Sequence, residues 1–233
     1  SVIVLSRNIQ KANSLFNDKI HVEFWNGCDS STLVPIINDA FAVINLAGES
    51  IAVRWTKKNK ERIFRSRLDT TSSVVDAINK CTNTPKVLIQ ASAIGYYPHN
   101  SEIQYDETGV CGNGFLSRLV SEWEKAAEVV NDRCRLVLVR TGIVLSSKGG
   151  FLEKIIYPTR NFLGGWIGDG KQKVSWIHID DYVNALKFLL EKENCKGPFN
   201  LVSPNPCTLK QLVKMVGKVL KRPVWLPVPR FAL

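Results

Sequence analysis

The sequence lacks the features that mark membrane proteins, disulfide-rich proteins and metal clusters. Its 233 residues contain no apolar run of the ~18 residues that a membrane span requires. Its 6 cysteines form no CxxC pair, which argues against zinc and iron–sulfur sites. A chain of this length does not need disulfides, so we expect reduced thiols and an intracellular compartment, the cytoplasm or an organelle. Ser1–Leu5 is typical of a strand entered in mid-protein rather than of a signal or transit peptide. We therefore expect no membrane partner and no bound metal.

Acidic residues are also scarce relative to basic ones. The chain has 31 Lys and Arg against 21 Asp and Glu, which gives a formal net charge of +10. Such an excess favours an anionic partner. A phosphorylated cofactor or substrate fits this charge, and so does a merely solvated basic surface. No RNA-binding pattern of aromatic residues in a basic strand is present, so we expect no nucleic-acid partner.

Short apolar runs alternate with amphipathic patterns in the first part of the chain. Apolar residues at three- and four-residue steps predict helices over Lys58–Lys80 and Phe115–Val130. Strand and helix patterns that alternate in this way predict a Rossmann-type, doubly wound parallel sheet with helices on both faces. The predicted strands of this α/β fold are Val2–Leu5, His21–Trp25, Ala42–Leu46, Val87–Ala91 and Leu136–Arg140.

The pattern changes after Gly150. Glycine-rich loops at 164–170 precede a second set of short elements. The strands predicted there are Val174–Ile177 and Phe199–Val202, and the helices are Asp180–Glu191 and one that Thr208 caps and that runs through Leu220. We predict a Rossmann cofactor-binding domain over residues 1–150. Residues 151–233 form a mixed segment that contributes to a smaller C-terminal substrate lobe and to the sheet edge.

Ligands of an open parallel sheet bind beyond the carboxyl ends of its strands, and Arg7 stands at one such end. If its strand is the second of a Rossmann unit, the guanidinium lies beside the adenosine ribose and suits the 2′-phosphate of NADP. An ordinary surface arginine is the alternative. The glycine-rich turn that binds the pyrophosphate should precede that strand, and the sequence contains none. We therefore expect the first strand and this turn to be absent from the chain.

A series of ordered motifs resembles one family over residues 1 to about 230. The family is that of the atypical extended short-chain dehydrogenase/reductases, in particular the SulA-like members of the NAD-dependent epimerase/dehydratase family. In chain order the motifs are Ser6-Arg7-Asn8, Asn45-Leu46-Ala47-Gly48-Glu49, Ser66-Arg67, Ser92-Ala93-Ile94-Gly95-Tyr96-Tyr97, Arg140-Thr141-Gly142-Ile143-Val144-Leu145, Gly164-Gly165-Trp166-Ile167-Gly168-Asp169-Gly170, Trp176-Ile177-His178-Ile179-Asp180-Asp181 and Phe199-Asn200-Leu201-Val202-Ser203-Pro204.

The resemblance implies a bound NADP(H), with NAD less expected, in a Rossmann domain followed by a smaller substrate lobe. By position it assigns 2′-phosphate contacts to Ser6 and Arg7 and the adenine and ribose wall to Leu46 and Ala47. It also implies that Arg62 and Arg67, on the following helix, face the cofactor and that Val144 lines the nicotinamide side.

The resemblance also exposes a gap in the catalytic half of the site. Relatives use a Tyr-x-x-x-Lys pair, in which the tyrosine transfers a proton, and a serine that orients the substrate. Ser92 stands where that serine is expected, and we predict it as the catalytic residue. Gly114 and Arg118 stand where the tyrosine and the lysine are expected. Glycine cannot transfer a proton, and arginine binds a ribose differently from lysine. Tyr96 and Tyr97 are the candidates to replace the tyrosine.

Two functions stay open at this point. One is an NADP-dependent oxidoreductase or epimerase with an unknown small-molecule substrate. The other is a non-catalytic, NADP(H)-responsive regulatory or binding protein, as in branches named for cell or organelle division. A homodimer is left open in both cases. His178 is a further candidate proton carrier, but a hydrogen bond that holds the turn before Asp180 is the simpler interpretation.

Overall fold

The computed structural model describes residues 1–16, 19–99, 102–225 and 227. The strands are β1 (Ile3–Ser6), β2 (His21–Phe24), β3 (Ala42–Asn45), β4 (Val87–Ala93), β5 (Arg135–Thr141), β6 (Ile143–Ser146), β7 (Gly149–Gly150), β8 (Lys173–Val174), β9 (Trp176–His178), β10 (Gly197–Leu201) and β11 (Cys207–Thr208). The helices are α1 (Ile9–Phe16), α2 (Val34–Ile37), α3 (Lys57–Lys80), α4 (Phe115–Glu128), α5 (Phe151–Arg160), α6 (Ile179–Glu191) and α7 (Leu209–Leu220), and a 3₁₀ turn covers Ile94–Tyr96.

A parallel sheet forms the centre of the main domain. Its order is β10-β5-β4-β3, with every pair parallel. One hydrophobic cluster packs α3 against one face of this sheet, and a second packs α6 against the other. Helices on both faces of a parallel sheet confirm the predicted doubly wound α/β fold.

The strands β1 and β2 pair only with each other, in parallel. In the described part of the chain, β1 and β3 each keep one edge without a strand partner. Ile3 and Ile44 on these strands are 43% and 45% exposed. A Rossmann sheet in which the strand between β1 and β3 is lacking has this arrangement.

Local sequence explains where α3 begins and ends. The Thr56 hydroxyl accepts a hydrogen bond from the Asn59 backbone N–H at 3.2 Å, which satisfies one of the free donors of the first turn. Buried residues such as Ile63, Val74 and Ile78 then recur on one face. The strand Val87–Ala93 follows and supplies the centre of the sheet, since its first four residues are fully or almost fully buried.

A third buried cluster lies among the later elements of the chain. Leu145, Ile155, Val174, Leu209 and Leu212 belong to one buried cluster, which joins α5 and α7 to short strands. The predicted cap of α7 is confirmed, because the Thr208 hydroxyl accepts from the Gln211 N–H at 3.2 Å and Gln211 caps in return. The later segment also returns to the main domain through β10 and α6.

One predicted strand is wrong in its extent. Val174–Ile177 is not continuous, because β8 pairs antiparallel with β11 while β9 pairs parallel with β6. Ser175 lies between them, and its carbonyl oxygen accepts from the Ile143 N–H at 2.9 Å. A single apolar run therefore serves two sheets, and a pattern in the sequence cannot show that division.

All 6 cysteines are free. Cys28 and Cys111 are exposed, whereas Cys81 and Cys134 are buried. Burial raises the pKa of the Cys134 thiol to about 11. No cluster of His, Cys, Asp or Glu suited to a metal ion occurs among the described residues. In the same residues, no helix is both long enough and apolar enough to cross a bilayer.

We expect Cys28 and Cys111 to react with an aromatic disulfide reagent at pH 8, and Cys134 to react only after denaturation. At that pH about one Cys134 thiol in a thousand is ionised, and the thiolate is the nucleophile. Peptide mapping of the labelled protein, with and without denaturant, measures this difference. Equal native labelling of Cys134 and Cys28 would contradict it.

Candidate functional site

The carboxyl ends of β1 and β3 lie close together. The Arg7 guanidinium is 3.9 Å from the Glu49 carboxylate, and its side chain is 74% exposed. The Ser6 hydroxyl forms a local turn, since it donates to the Asn8 carbonyl oxygen at 3.0 Å and accepts from the Asn8 N–H at 3.1 Å. A positive and hydrogen-bonding end of β1 therefore faces the loop that follows β3.

Arg67 on α3 reaches this loop from the other side. A Cβ on Gly48 would lie 3.1 Å from the Arg67 Cζ, so the guanidinium is packed against the glycine backbone. The same guanidinium lies 5.1 Å from the Trp123 ring centroid, and Nη1 donates to the Ile63 carbonyl oxygen at 3.2 Å. A Cβ at position 48 would require the end of the Arg67 side chain to shift by a few tenths of an ångström, so the glycine favours this close approach.

The position of Arg67 has an electrostatic consequence. Burial lowers the pKa of the Arg67 guanidinium below its ordinary value, and the nearby Glu49 carboxylate partly opposes that shift. The group stays charged, since arginine remains protonated in proteins. A partly desolvated cation with unused donors is a favourable neighbour for an anionic ligand.

A ladder of hydrogen bonds between buried side chains holds the surface against which Arg67 packs. The Trp123 indole N–H donates to the Thr71 hydroxyl at 2.8 Å, which holds the ring that Arg67 covers. The Asn45 amide donates to Thr71 at 3.3 Å and to the Gln90 side-chain oxygen at 2.9 Å. Asn45 also accepts from the Ala47 N–H at 3.2 Å, so the ladder fixes the start of the loop. The four elements β3, β4, α3 and α4 thereby hold the surface beneath Arg67 and the start of the loop in one place.

Three of the four other predicted cofactor residues lie around this edge. Leu46 is 55% exposed, and Ala47 follows it in the loop. Arg62 is exposed on α3, one turn before Ser66, whose hydroxyl accepts from the Glu49 N–H at 3.1 Å. Val144 lies apart, in β6, where it is half-buried beside the cluster that packs α6 on the sheet.

Ser92 lies inside a buried network rather than on an open surface. Its hydroxyl donates to the Glu124 carboxylate at 2.5 Å. Arg140 binds the same carboxylate through Nε at 2.9 Å and Nη2 at 2.8 Å. Each of these three residues is 4% exposed. Desolvation disfavours the charged Arg140, but its hydrogen bonds to Glu124 and Tyr97 outweigh this and raise its pKa above the ordinary value.

The network continues from Arg140 to the edge strand. Arg140 Nη1 donates to the Tyr97 hydroxyl at 3.0 Å, and this hydroxyl donates to the Asn200 side-chain oxygen at 2.7 Å. The Asn200 N–H donates to the Glu107 carboxylate at 2.7 Å. Arg140 also lies 3.7 Å from the Tyr96 ring centroid. The two tyrosines predicted as replacement proton donors are therefore both contacts of one buried arginine.

Glu124 was missed as a site residue, although the sequence carries a signal for it. It lies on the apolar face of α4, with Val120 and Ala127 one turn away on either side. A carboxylate in such a row is buried only if a cation pairs with it. The structure supplies that cation from β5, as Arg140.

The helix positions of the expected Tyr-Lys pair are occupied differently. Gly114 is the N-cap of α4, with φ −77° and ψ 175°, and nothing lies within 4 Å of a Cβ built on it. Arg118 is exposed in the first turn, and its N–H donates to the Gly114 carbonyl oxygen at 3.0 Å. The simpler interpretation of His178 is confirmed, because its Nδ1 accepts from the Asp180 N–H at 3.2 Å and caps α6.

Comparison with known proteins decides the family. A model of the NAD dependent epimerase/dehydratase family matches residues 1–201. The chain belongs to this family. It is 41% identical over 235 residues to the epimerase family protein YfhF of Bacillus subtilis, and covers 76% of that protein with its whole length. It is 38% identical over 242 residues to the chloroplastic epimerase family protein SDR39U1 homolog of Arabidopsis thaliana, of which it covers 67%.

A solved structure agrees with this assignment. The crystal structure of human epimerase family protein SDR39U1 (isoform 2) with NADPH superposes with a TM-score of 0.83 at 31% identity, covering 98% of this chain and 83% of that one. The family and the Rossmann-type fold predicted from the motifs are thereby confirmed. Solved structures at lower identity, such as the UDP-glucose 4-epimerase of Thermus thermophilus at 14%, share the fold.

Proposed function

We propose that this member of the epimerase family binds NADP(H) beyond the carboxyl ends of β1 and β3 and uses it in an oxidoreductase or epimerase reaction on a small molecule. The observation that carries the proposal is the half-buried Arg67 guanidinium packed on Gly48, with Arg7 at the neighbouring strand end. The human relative at 31% identity was crystallised with NADPH, which supports the same choice of cofactor.

The proposed residues have separate roles. Arg7 and the Ser6 turn would bind the 2′-phosphate, and Arg67 would add a second, less hydrated cation. The backbone of Leu46 and Ala47 would line the adenosine, and Val144 the nicotinamide side. Nicotinamide supplies the hydride chemistry when it is bound, whereas the protein supplies position and charge.

Arg7 tests the preference for NADP over NAD. We expect the full-length protein to bind NADPH more tightly than NADH, and Arg7→Glu to reverse that order, because a carboxylate repels the 2′-phosphate and accepts from a 2′-hydroxyl. Titration calorimetry with both cofactors measures the change. Arg133→Glu, at an exposed position near the amino end of β5, is the matched control. Equal affinities that do not respond to Arg7→Glu would refute the preference.

Ser92 remains the catalytic residue proposed from the sequence, and its geometry sets a condition. Its hydroxyl donates to Glu124, so it must exchange that partner to reach a substrate. We expect Ser92→Ala to lower turnover by about 10²–10⁴-fold if the hydroxyl takes part in proton transfer. The assay follows NADPH oxidation by the full-length protein against a panel of carbonyl compounds and sugar nucleotides.

A matched comparison separates chemistry from packing in that assay. Ser73, which is also buried and donates to the Cys28 carbonyl oxygen at 2.7 Å, lies far along α3. Ser73→Ala should leave turnover per folded molecule unchanged. Turnover that survives Ser92→Ala would remove Ser92 from the reaction, and NADPH binding without turnover on any panel member would favour the non-catalytic alternative.

A further inference from the structure

Two aromatic side chains and a lysine meet where the loop after β3 reaches the start of α4, and an arginine follows one turn along α4. This aromatic–cation cluster consists of Trp55, Lys60, Phe115 and Arg118. The Trp55 and Phe115 ring centroids are 5.4 Å apart, with their planes at 59°. Lys60 Nζ lies 5.1 Å from the Phe115 centroid. Arg118 follows Phe115 by one helical turn, so the two side chains are neighbours on the helix surface.

The cluster lies between the ends of adjacent strands. A Cβ on Gly95, in the turn directly after β4, would be 3.3 Å from the Leu116 Cβ. The Ser117 hydroxyl donates to the Tyr97 carbonyl oxygen at 3.3 Å. The first turn of α4 is therefore held beside the carboxyl end of β4, while Trp55 stands in the loop that follows β3. Ligands of parallel sheets bind in this region.

The cluster is open to a ligand. Trp55 is 43% exposed, and its loop is folded, since the indole N–H donates to the Ile51 carbonyl oxygen at 3.0 Å. Gly114 borders the cluster, and the space beside it is empty for 4 Å around an added Cβ. Neither Lys60 nor Arg118 forms an ion pair with any described residue.

The surrounding charge selects the sign of that ligand. Residues 54–67 contain 7 Lys and Arg against a single carboxylate, Glu61. That carboxylate is already paired with Arg65 at 3.1 Å. α3 has no acidic residue in its first turn, so the cations there add to the positive end of the helix dipole instead of offsetting it. The field at the cluster therefore favours an anion.

We propose that the aromatic–cation cluster binds the substrate, and that the substrate carries a flat apolar ring next to a carboxylate or phosphate. Trp55 and Phe115 would pack against the ring, and Lys60 and Arg118 would bind the anionic group. The inference rests on the proposed function, because the cofactor occupies the neighbouring strand ends. A small molecule fits better than an acidic protein, since only four side chains, from one loop and two helices, form the cluster.

The test uses 2-naphthoate as the probe on the full-length protein, with and without NADPH, in titration calorimetry. The neutral isostere 2-naphthamide and the ringless anion acetate are compared with it. We expect 2-naphthoate to bind at least about tenfold more tightly than either, and Trp55→Ala and Lys60→Gln each to weaken it about tenfold. Lys58→Gln, on the same helix turn but without a ring contact, is the matched control.

The outcomes divide clearly. Loss of naphthoate binding in Trp55→Ala and Lys60→Gln, with NADPH affinity and Lys58→Gln unchanged, supports the proposal. Equal binding of naphthoate and naphthamide, or equal effects of Lys58→Gln and Lys60→Gln, overturns it. The proposal is also overturned if uridine diphosphate binds more tightly than 2-naphthoate and its affinity is unchanged in Trp55→Ala and Lys60→Gln. If naphthoate binds but NADPH does not, the cofactor proposal fails while the cluster stands; if NADPH binds but naphthoate does not, only the cluster fails.

Discussion

Glu124→Ala is expected to lower the free energy of unfolding by about 3–5 kcal/mol, because it leaves a charged Arg140 buried without its partner. The pair is bidentate, at 2.9 and 2.8 Å, and both residues are 4% exposed. Burial limits the hydration of the uncovered guanidinium at such a position, and the Ser92 hydroxyl loses its acceptor as well. Denaturant unfolding followed by circular dichroism measures the loss.

Glu122→Ala is the matched control for this prediction. Glu122 lies on the same helix and accepts from Lys125 at 3.0 Å, but its side chain is 48% exposed. Exposed pairs contribute about 0–1 kcal/mol, so this variant should unfold almost as the wild type does. The double variant Glu124→Leu with Arg140→Met should regain part of the loss, because it removes both charges. Similar losses in Glu124→Ala and Glu122→Ala would show that the buried pair is not what stabilises this region.

Arg67→Ala is expected to weaken NADPH binding by about 1.5–3 kcal/mol, which is roughly 10- to 150-fold, since it removes hydrogen bonds from a charged group to phosphate. Burial on Gly48 and Trp123 restricts this guanidinium before the ligand arrives, so little ordering is needed on binding. Titration of the full-length protein with NADPH gives the affinity. For the variant, the logarithm of the NADPH affinity should also depend less steeply on the logarithm of the salt concentration.

Arg65→Ala separates a positioned cation from general charge. Arg65 lies on the same helix, but its side chain is 72% exposed and pairs with Glu61 at 3.1 Å. Both variants remove one positive charge, so a purely long-range effect would weaken NADPH binding equally in the two. Trp123→Leu should weaken binding less than Arg67→Ala, because it removes the surface on which Arg67 rests but not the charge. If all three variants bind NADPH as the wild type does, the cofactor does not contact Arg67.

The sequence named candidate residues for both the cofactor half and the catalytic half of the site. Arg7 and Arg67 were predicted from a strand end and a motif, and the structure places both around the Gly48-Glu49 loop. Whether they contact the cofactor stays a prediction. Ser92 was predicted as a substrate contact from its position alone, and the sequence could not show that its hydroxyl is engaged by Glu124. The Glu124–Arg140 ion pair joins α4 to β5, and tertiary packing sets the position of β5 in the sheet.

Local patterns were enough for the family, the parallel sheet and most helix limits, because strand runs, capping residues and amphipathic spacing act over a few neighbouring residues. The division of Val174–Ile177 between two sheets was not visible in this way, since both partners lie elsewhere in the chain. The arrangement of the strand ends was likewise decided by tertiary structure alone. Tyr97 meets Asn200 across 103 positions, and Arg140 meets Glu124, only because β4, β5 and β10 are neighbours in the sheet. Local patterns along the chain do not reveal that proximity, which arises when both faces of the sheet are buried and its strands take their order.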